Sequence, residues 1–186
     1  MKDETNYLQK ARMDIKAVEF ASELYKVVKD DDFIYLIAYH TQQAIEKSLK
    51  YVLHNLHGVD DSTQPFKTHN IMALINQVHK NTNFVVPHDV EVHADEIFSW
   101  EAGTRYDIQT SYNTADLDKN SNMMRNLIEA VKEYALLEFS INANEIINDN
   151  DETLNSMLET ISSYAEIHKQ NDEDLEVDND LDIDDR

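Results

Sequence analysis

The chain has 186 residues, enough for one domain with a substantial core. Two glycines and two prolines are too few for the frequent turns of a sheet-rich protein, and the absence of cysteine removes disulfide frameworks, thiolate zinc sites and thiol nucleophiles together. The net charge is −21, with 14 acidic and 2 basic residues between 149 and 186, so a broad basic face for nucleic acid is excluded and any phosphate contact must come from a local cationic pocket.

The N-terminal MKDETNYLQK lacks an apolar signal core, and no run approaches the ~18 apolar residues of a membrane span. A cytoplasmic, bacterial-type protein with no membrane contact is the expectation. Leu8, Ala11, Ile15, Val18, Ser22 and Tyr25 recur at spacings of three and four, which predicts an amphipathic helix over about 5–29. Lys29-Asp30-Asp31-Asp32 ends it and supplies the N-cap of the next helix. That second helix runs over about 32–57, apolar at Ile34, Ile37, Ala44, Ile45, Leu49, Val52 and Leu56, and stops at Gly58, a residue free to take positive φ.

After the polar connection VDDSTQPFK, Thr68 is expected to cap a short helix carrying Ile71, Leu74, Ile75 and Val78. Phe84-Val85-Val86 reads as a brief extended piece, and Pro87 suits the start of a fourth helix over 88–101. Residues 99–112, SWEAGTRYDIQTSY, read as a loop that gathers Trp100, Gly103, Arg105 and two tyrosines. Thr114 then caps a long helix from Leu117 through Ile141. The whole reads as an all-α, up-and-down bundle of about five helices over residues 1–148. Residues 149–169 add an amphipathic helix striped by Leu154, Met157, Leu158, Ile161 and Tyr164, and the acidic tail 170–186 reads as disordered. Its aspartates at 178, 180, 182 and 184 lack the glycine and glutamate of a calcium loop. It is a solvating tail or an electrostatic mimic of nucleic acid.

Helix two carries the polar run HTQQAIEKSLK. His40, Gln43 and Lys47 share one face, while Gln42 and Glu46 lie together on an adjacent one. Two readings stand: a solvated face with an i, i+4 hydrogen bond, or a polar strip facing a partner loop. The 99–112 segment also has two. Trp100 and Tyr106 seal the end of the core while Gly103 turns the chain and Arg105 pairs with Glu101 or Asp107, or Arg105 is kept for a ligand. The remaining histidines, His69, His79, His88 and His93, are scattered over short helices, and no metal-ligand spacing occurs, so neither a structural zinc nor a cofactor is expected.

The order ARMDIKAVEFASELY, AYHTQQAIEKSLKYVLHNLHG, THNIMALINQV and WEAGTRYD, over about residues 5–140, resembles the HEPN domain family, helical bundles of prokaryotic toxin–antitoxin and defence systems. The resemblance implies a twofold homodimer with the arginine loops of both subunits near one cleft. Active members are metal-independent endoribonucleases with an Rx4–6H arrangement. Those paired with a minimal nucleotidyltransferase partner carry a tyrosine two residues after the histidine, the target of AMP transfer. The arginine matches Arg105 and the tyrosine Tyr112, while the histidine position falls on Thr110.

A threonine hydroxyl cannot take and return protons near neutral pH as an imidazole does. The reading is therefore a domain that binds RNA or nucleotide phosphate through Arg105, Tyr106 and Asp107, framed by His40, Gln43, Glu46 and Lys47. Catalysis is expected only if His40 stands in for the missing histidine. The alternatives are an active ribonuclease toxin and a non-enzymatic partner or inhibitor acting through the C-terminal region.

Overall fold

The computed structural model describes residues 6–60, 66–106 and 117–143, with the backbone alone of 101–106. These lie in the first of two units into which the chain divides, Met1–Asp149; the second is Asn150–Arg186. The predicted amphipathic helix at 149–169, the acidic tail and the Thr114 cap fall outside the described residues.

Every described element is helical. The first helix, α1, covers Tyr7–Val28, with Asn6 as N-cap, its Oδ1 accepting from the Gln9 amide at 3.1 Å. It ends where Lys29 turns into the left-handed region at φ 56° and its N–H returns to the Tyr25 carbonyl. The buried positions are Leu8, Ala11, Asp14, Val18 and Ala21. The seam thus passes through Asp14, whereas the periodicity of apolar residues pointed to Ile15, which is only partly buried at its edge. At the start of α2 (Asp32–Lys50) the oxygen is supplied by Asp30, whose Oδ1 accepts from the Asp32 amide at 3.0 Å.

Helix α2 continues without interruption into a π-helical segment, Tyr51–Leu56. At Gly58, φ is 65°, and the Gly58 and Val59 amides return to the carbonyls of His54 and Leu53. A Cβ built there meets nothing within 4 Å, so the positive φ alone is what favours glycine. Helix α3 (Ile71–Asn81) is capped by Asn70, not Thr68: Asn70 Oδ1 accepts from the Ala73 amide at 2.8 Å, and Thr68 Oγ1 accepts one step earlier, from the Asn70 amide at 3.0 Å. Phe84 and Val86 are buried and Val85 between them is exposed, the alternation of an extended chain.

The predicted fourth helix is two, α4 (His88–Val92) and α5 (Ala94–Tyr106), broken at His93. Residues 99–106, read from the sequence as a loop, are the last two turns of α5, and Gly103 lies within the helix. The final helix, α6, covers Leu117–Phe139 and ends at Ser140, φ 56°.

Helix α2 is the axis of the bundle. Joined to α1 by a three-residue turn, it packs along α1 and also touches α3, α5 and α6. This explains why Ile37, Ile45, Leu49 and Leu53 are fully buried, facing Leu8 of α1, Ile71 of α3, Ile97 of α5 and Leu127 of α6 in one continuous core. Beyond the π segment, His57 lies against α6: its Nε2 is 2.9 Å from the Tyr134 hydroxyl, its ring stacks on Tyr134 at 6.0 Å and meets the edge of Phe139 at 5.2 Å.

Burial holds the His57 imidazole below its ordinary pKa of 6.5, because the charged ring loses water among these aromatics. The unfolded chain therefore binds the proton more tightly than the folded one. The stability from neutral His57 is complete above about pH 6.5 and is lost as pH falls through the lowered folded value. Thermal denaturation between pH 5 and 8 should show a steeper acid decline for the wild type than for His57→Phe; parallel curves would refute the assignment.

Candidate functional site

Because α2 packs against several helices, most of its polar run is not solvated: Thr41, Gln42, Gln43, Glu46, Ser48 and Lys50 are buried, while His40 and Lys47 stay partly exposed. Burial of so many polar groups calls for partners: Thr41 Oγ1 has none among the described residues, Ser48 Oγ donates to the Ala44 carbonyl at 2.7 Å, and the others fall into two sets.

The first set centres on Glu46, whose carboxylate side chain is 4% exposed. Its Oε1 accepts from Lys50 Nζ at 2.7 Å, one helical turn on, and its Oε2 accepts from Gln42 Nε2 at 3.1 Å and His69 Nδ1 at 3.1 Å. The Lys50 ammonium also lies 5.4 Å from the centre of the Phe66 ring. Gln42 passes the network on by accepting from Gln43 Nε2 at 2.8 Å. This set ties α2 to the chain entering α3. It accounts for Gln43 and Glu46 of the predicted site, and brings in Lys50 and His69.

The second set centres on Asp14 of α1, 6% exposed. The Nδ1–H of His40 donates to its Oδ1 at 2.9 Å, and the Lys47 ammonium donates to its Oδ2. Both donors lie on the same face of α2, two turns apart, so one carboxylate reaches both. The remaining ring nitrogen of His40, Nε2, has no partner among the described residues, and the side chain is 28% exposed. Sequence reasoning missed Asp14, and the available signal was an acid at a register position compatible with the α1 seam, 26 residues from its histidine.

Arg105 and Tyr106 close α5, which packs against α2 and α3; their side chains lie outside the described residues, as do Asp107, Thr110 and Tyr112 altogether. Of the predicted site residues, the structure thus brings together His40 with Lys47 and Gln43 with Glu46. Two of the other histidines have partners of their own: His79 Nε2 is 2.8 Å from Glu91, and His93 donates its Nδ1–H to the Asp89 carbonyl at 2.8 Å and accepts at Nε2 from Lys119 Nζ at 3.0 Å. Among the described residues no group of three or more His, Asp or Glu is placed to hold a metal ion, and no helix is long and apolar enough to cross a membrane.

No curated protein and no solved structure matches the chain. A family model does, over residues 6–134, from the N-cap of α1 to the tyrosine of α6 that meets His57. The helical order, the central α2 and the extent of that match agree: the chain belongs to the HEPN domain family.

Proposed function

We propose that this domain binds RNA or a nucleotide by its phosphate, with Arg105 as the gripping cation, and that the family's arginine–histidine arrangement does not cut the bound ester here. The observation that carries the reading is the pairing of Arg105 with threonine at position 110 in a HEPN domain. A guanidinium holds a phosphate through two parallel N–H donors whether or not an imidazole follows it. A hydroxyl in place of the imidazole leaves no group at that position to move a proton near neutral pH. Support also comes from α2, where a rigid polar strip has its charges already matched, so that it can frame a ligand without reorganising.

The setting we infer is a toxin–antitoxin or phage-defence system in which the domain acts as a homodimer. A nucleotidyltransferase-type protein is the partner, with Tyr112 as the residue it would modify.

Fluorescence anisotropy with a labelled single-stranded RNA, and a parallel titration with ATP, tests the central claim. Hydrogen bonds to a charged group contribute about 1.5–3 kcal/mol, so Arg105→Ala should weaken binding roughly 10- to 100-fold. Equal affinity of wild type and variant for both ligands overturns it. Because the chain is strongly acidic and the contact local, the affinity should fall only gently with salt.

A further inference from the structure

Helices α1 and α6 both pack on α2, and residues of the two line a cavity of about 460 Å³, large enough for a small molecule. Val18, which is buried, and Ser22, Tyr25, Leu117 and Ser121, which are partly buried, form its floor. Exposed charges form the rim: Glu19, Glu23 and Asp118 against Lys26, Lys29 and Arg125. In a chain of net charge −21, this balance sets the cavity apart from its surroundings. A phosphate meets as many like charges here as opposite ones, and so does a polyamine. The complement is a molecule that carries both signs.

Two rim pairs are already matched, Arg125 with Glu19 at 3.3 Å and Lys26 with Glu23 at 2.7 Å. Lys29 and Asp118 are not. Among the described residues the Lys29 ammonium has only the Tyr25 ring, 5.3 Å from its centre, and the Asp118 carboxylate makes no hydrogen bond or ion pair. Glu19 stands near the start of the α1 lining and Arg125 at the end of the α6 lining, so their pairing shows that the two helices line the cavity in opposite directions. Lys29, which closes the α1 lining, and Asp118, near the start of the α6 lining, therefore share the other end.

An ammonium and a carboxylate on one carbon, the head of a free α-amino acid, suit an unmatched acid and an unmatched ammonium at one end of a groove. From Leu117 to Arg125 the α6 lining is about 12 Å long, which leaves room for a side chain beyond the head. Along it Ser22, Ser121 and Asn122 make no side-chain hydrogen bond among the described residues, and their hydroxyl and amide groups both donate and accept. With the charges at the far end already paired, an uncharged side chain that also donates and accepts fits this stretch. A primary amide does so.

We propose that the groove between α1 and α6 binds a free α-amino acid with an amide side chain. Its ammonium meets Asp118, its carboxylate meets Lys29, and its amide lies among Ser22, Ser121 and Asn122. The site shares no residue with the phosphate contact assigned to Arg105 and stands independently of it.

Isothermal titration calorimetry of the full chain with L-glutamine tests the proposal. Wild type should bind it saturably, and putrescine and glutarate, each carrying one sign of charge only, should bind at least about tenfold more weakly. Asp118→Asn removes the acid, and Lys29→Asn removes the ammonium while keeping a residue that tolerates φ 56°. Each should lower the affinity for L-glutamine about 10-fold or more, with native helicity by circular dichroism. Ser121→Leu, which fills the floor, should abolish binding, and Glu129→Gln, on α6 outside the cavity, should match wild type. No saturable binding of L-glutamine by wild type at millimolar concentrations overturns the proposal. Equal affinity of wild type and either charge variant overturns it too, as does glutarate or putrescine binding as tightly as L-glutamine.

Discussion

Replacing Glu46 with alanine should lower stability by about 3–5 kcal/mol, the scale seen when one member of a buried ion pair is removed. Three donors converge on this carboxylate, and Lys50, with a side chain only 9% exposed, has no other carboxylate in reach among the described contacts. Its ammonium keeps only the Phe66 ring, a contact of about 1–2 kcal/mol at best. For a domain of this length each kcal/mol moves Tm by about 2–4 °C, so the variant should melt roughly 10 °C or more below wild type. The cost comes from the orphaned charge rather than from a large gain of the pair. Accordingly, the double variant Glu46→Leu with Lys50→Leu should recover most of the loss, because it takes both charges out of the interior together. Urea denaturation of the two single variants and the double closes the cycle. Additive single losses in the double variant, or a Tm change below about 2 °C in Glu46→Ala, would mean that Lys50 reaches water and the network is not a buried one.

The frame of the bundle is legible in the sequence for reasons that are local. The spacing of Leu8, Ala11 and Val18 can be satisfied only by a helix, and Gly58 stops the second one because an exposed glycine takes φ 65° without strain. What stays hidden depends on partners distant in the chain. A period of three and four admits either Asp14 or Ile15 at the seam, and hydropathy chooses Ile15; only His40 and Lys47, folded back along α2, make the acid the better occupant. Thr68 and Asn70 both offer a capping oxygen, and which of them meets the helix amide is decided by where the chain enters the bundle. The polar run on α2 resembles a solvated face because its charges are matched in space, through Asp14 and His69, rather than along the helix alone. The candidate site is legible in the same unequal way. His40, Gln43, Glu46 and Lys47 fall on recognisable faces, but that they divide between two carboxylates follows only from the packing of α1 and of the chain entering α3. Residues 99–106 show the converse case. A glycine costs a helix only about 1 kcal/mol relative to alanine, and the burial of Ile97 and Trp100 outweighs it, so α5 runs through Gly103.

Trp100 therefore answers one half of the question raised by that segment, and a paired measurement answers the other. The indole is 6% exposed and belongs to the core on a helix that packs against α2 and α3. Truncating a buried aromatic to alanine costs about 3–5 kcal/mol, through lost transfer energy and the cavity left behind, so Trp100→Ala should rank with Glu46→Ala among the most destabilising single changes. Trp100→Phe keeps most of the volume and should lose much less. Arg105 lies five residues further along the same helix, about 7.5 Å by the rise of an α-helix. If the tryptophan anchors α5 and the arginine meets phosphate, the two sites separate by experiment. Trp100→Phe should lower Tm while leaving RNA affinity within about twofold, and Arg105→Ala should lose affinity with a change in Tm of only a few degrees, as for substitutions outside a core. The result that breaks this reading is an Arg105→Ala variant as unstable as Trp100→Ala. The guanidinium would then be part of what holds α5 in place, and the phosphate site proposed for it would have no cation.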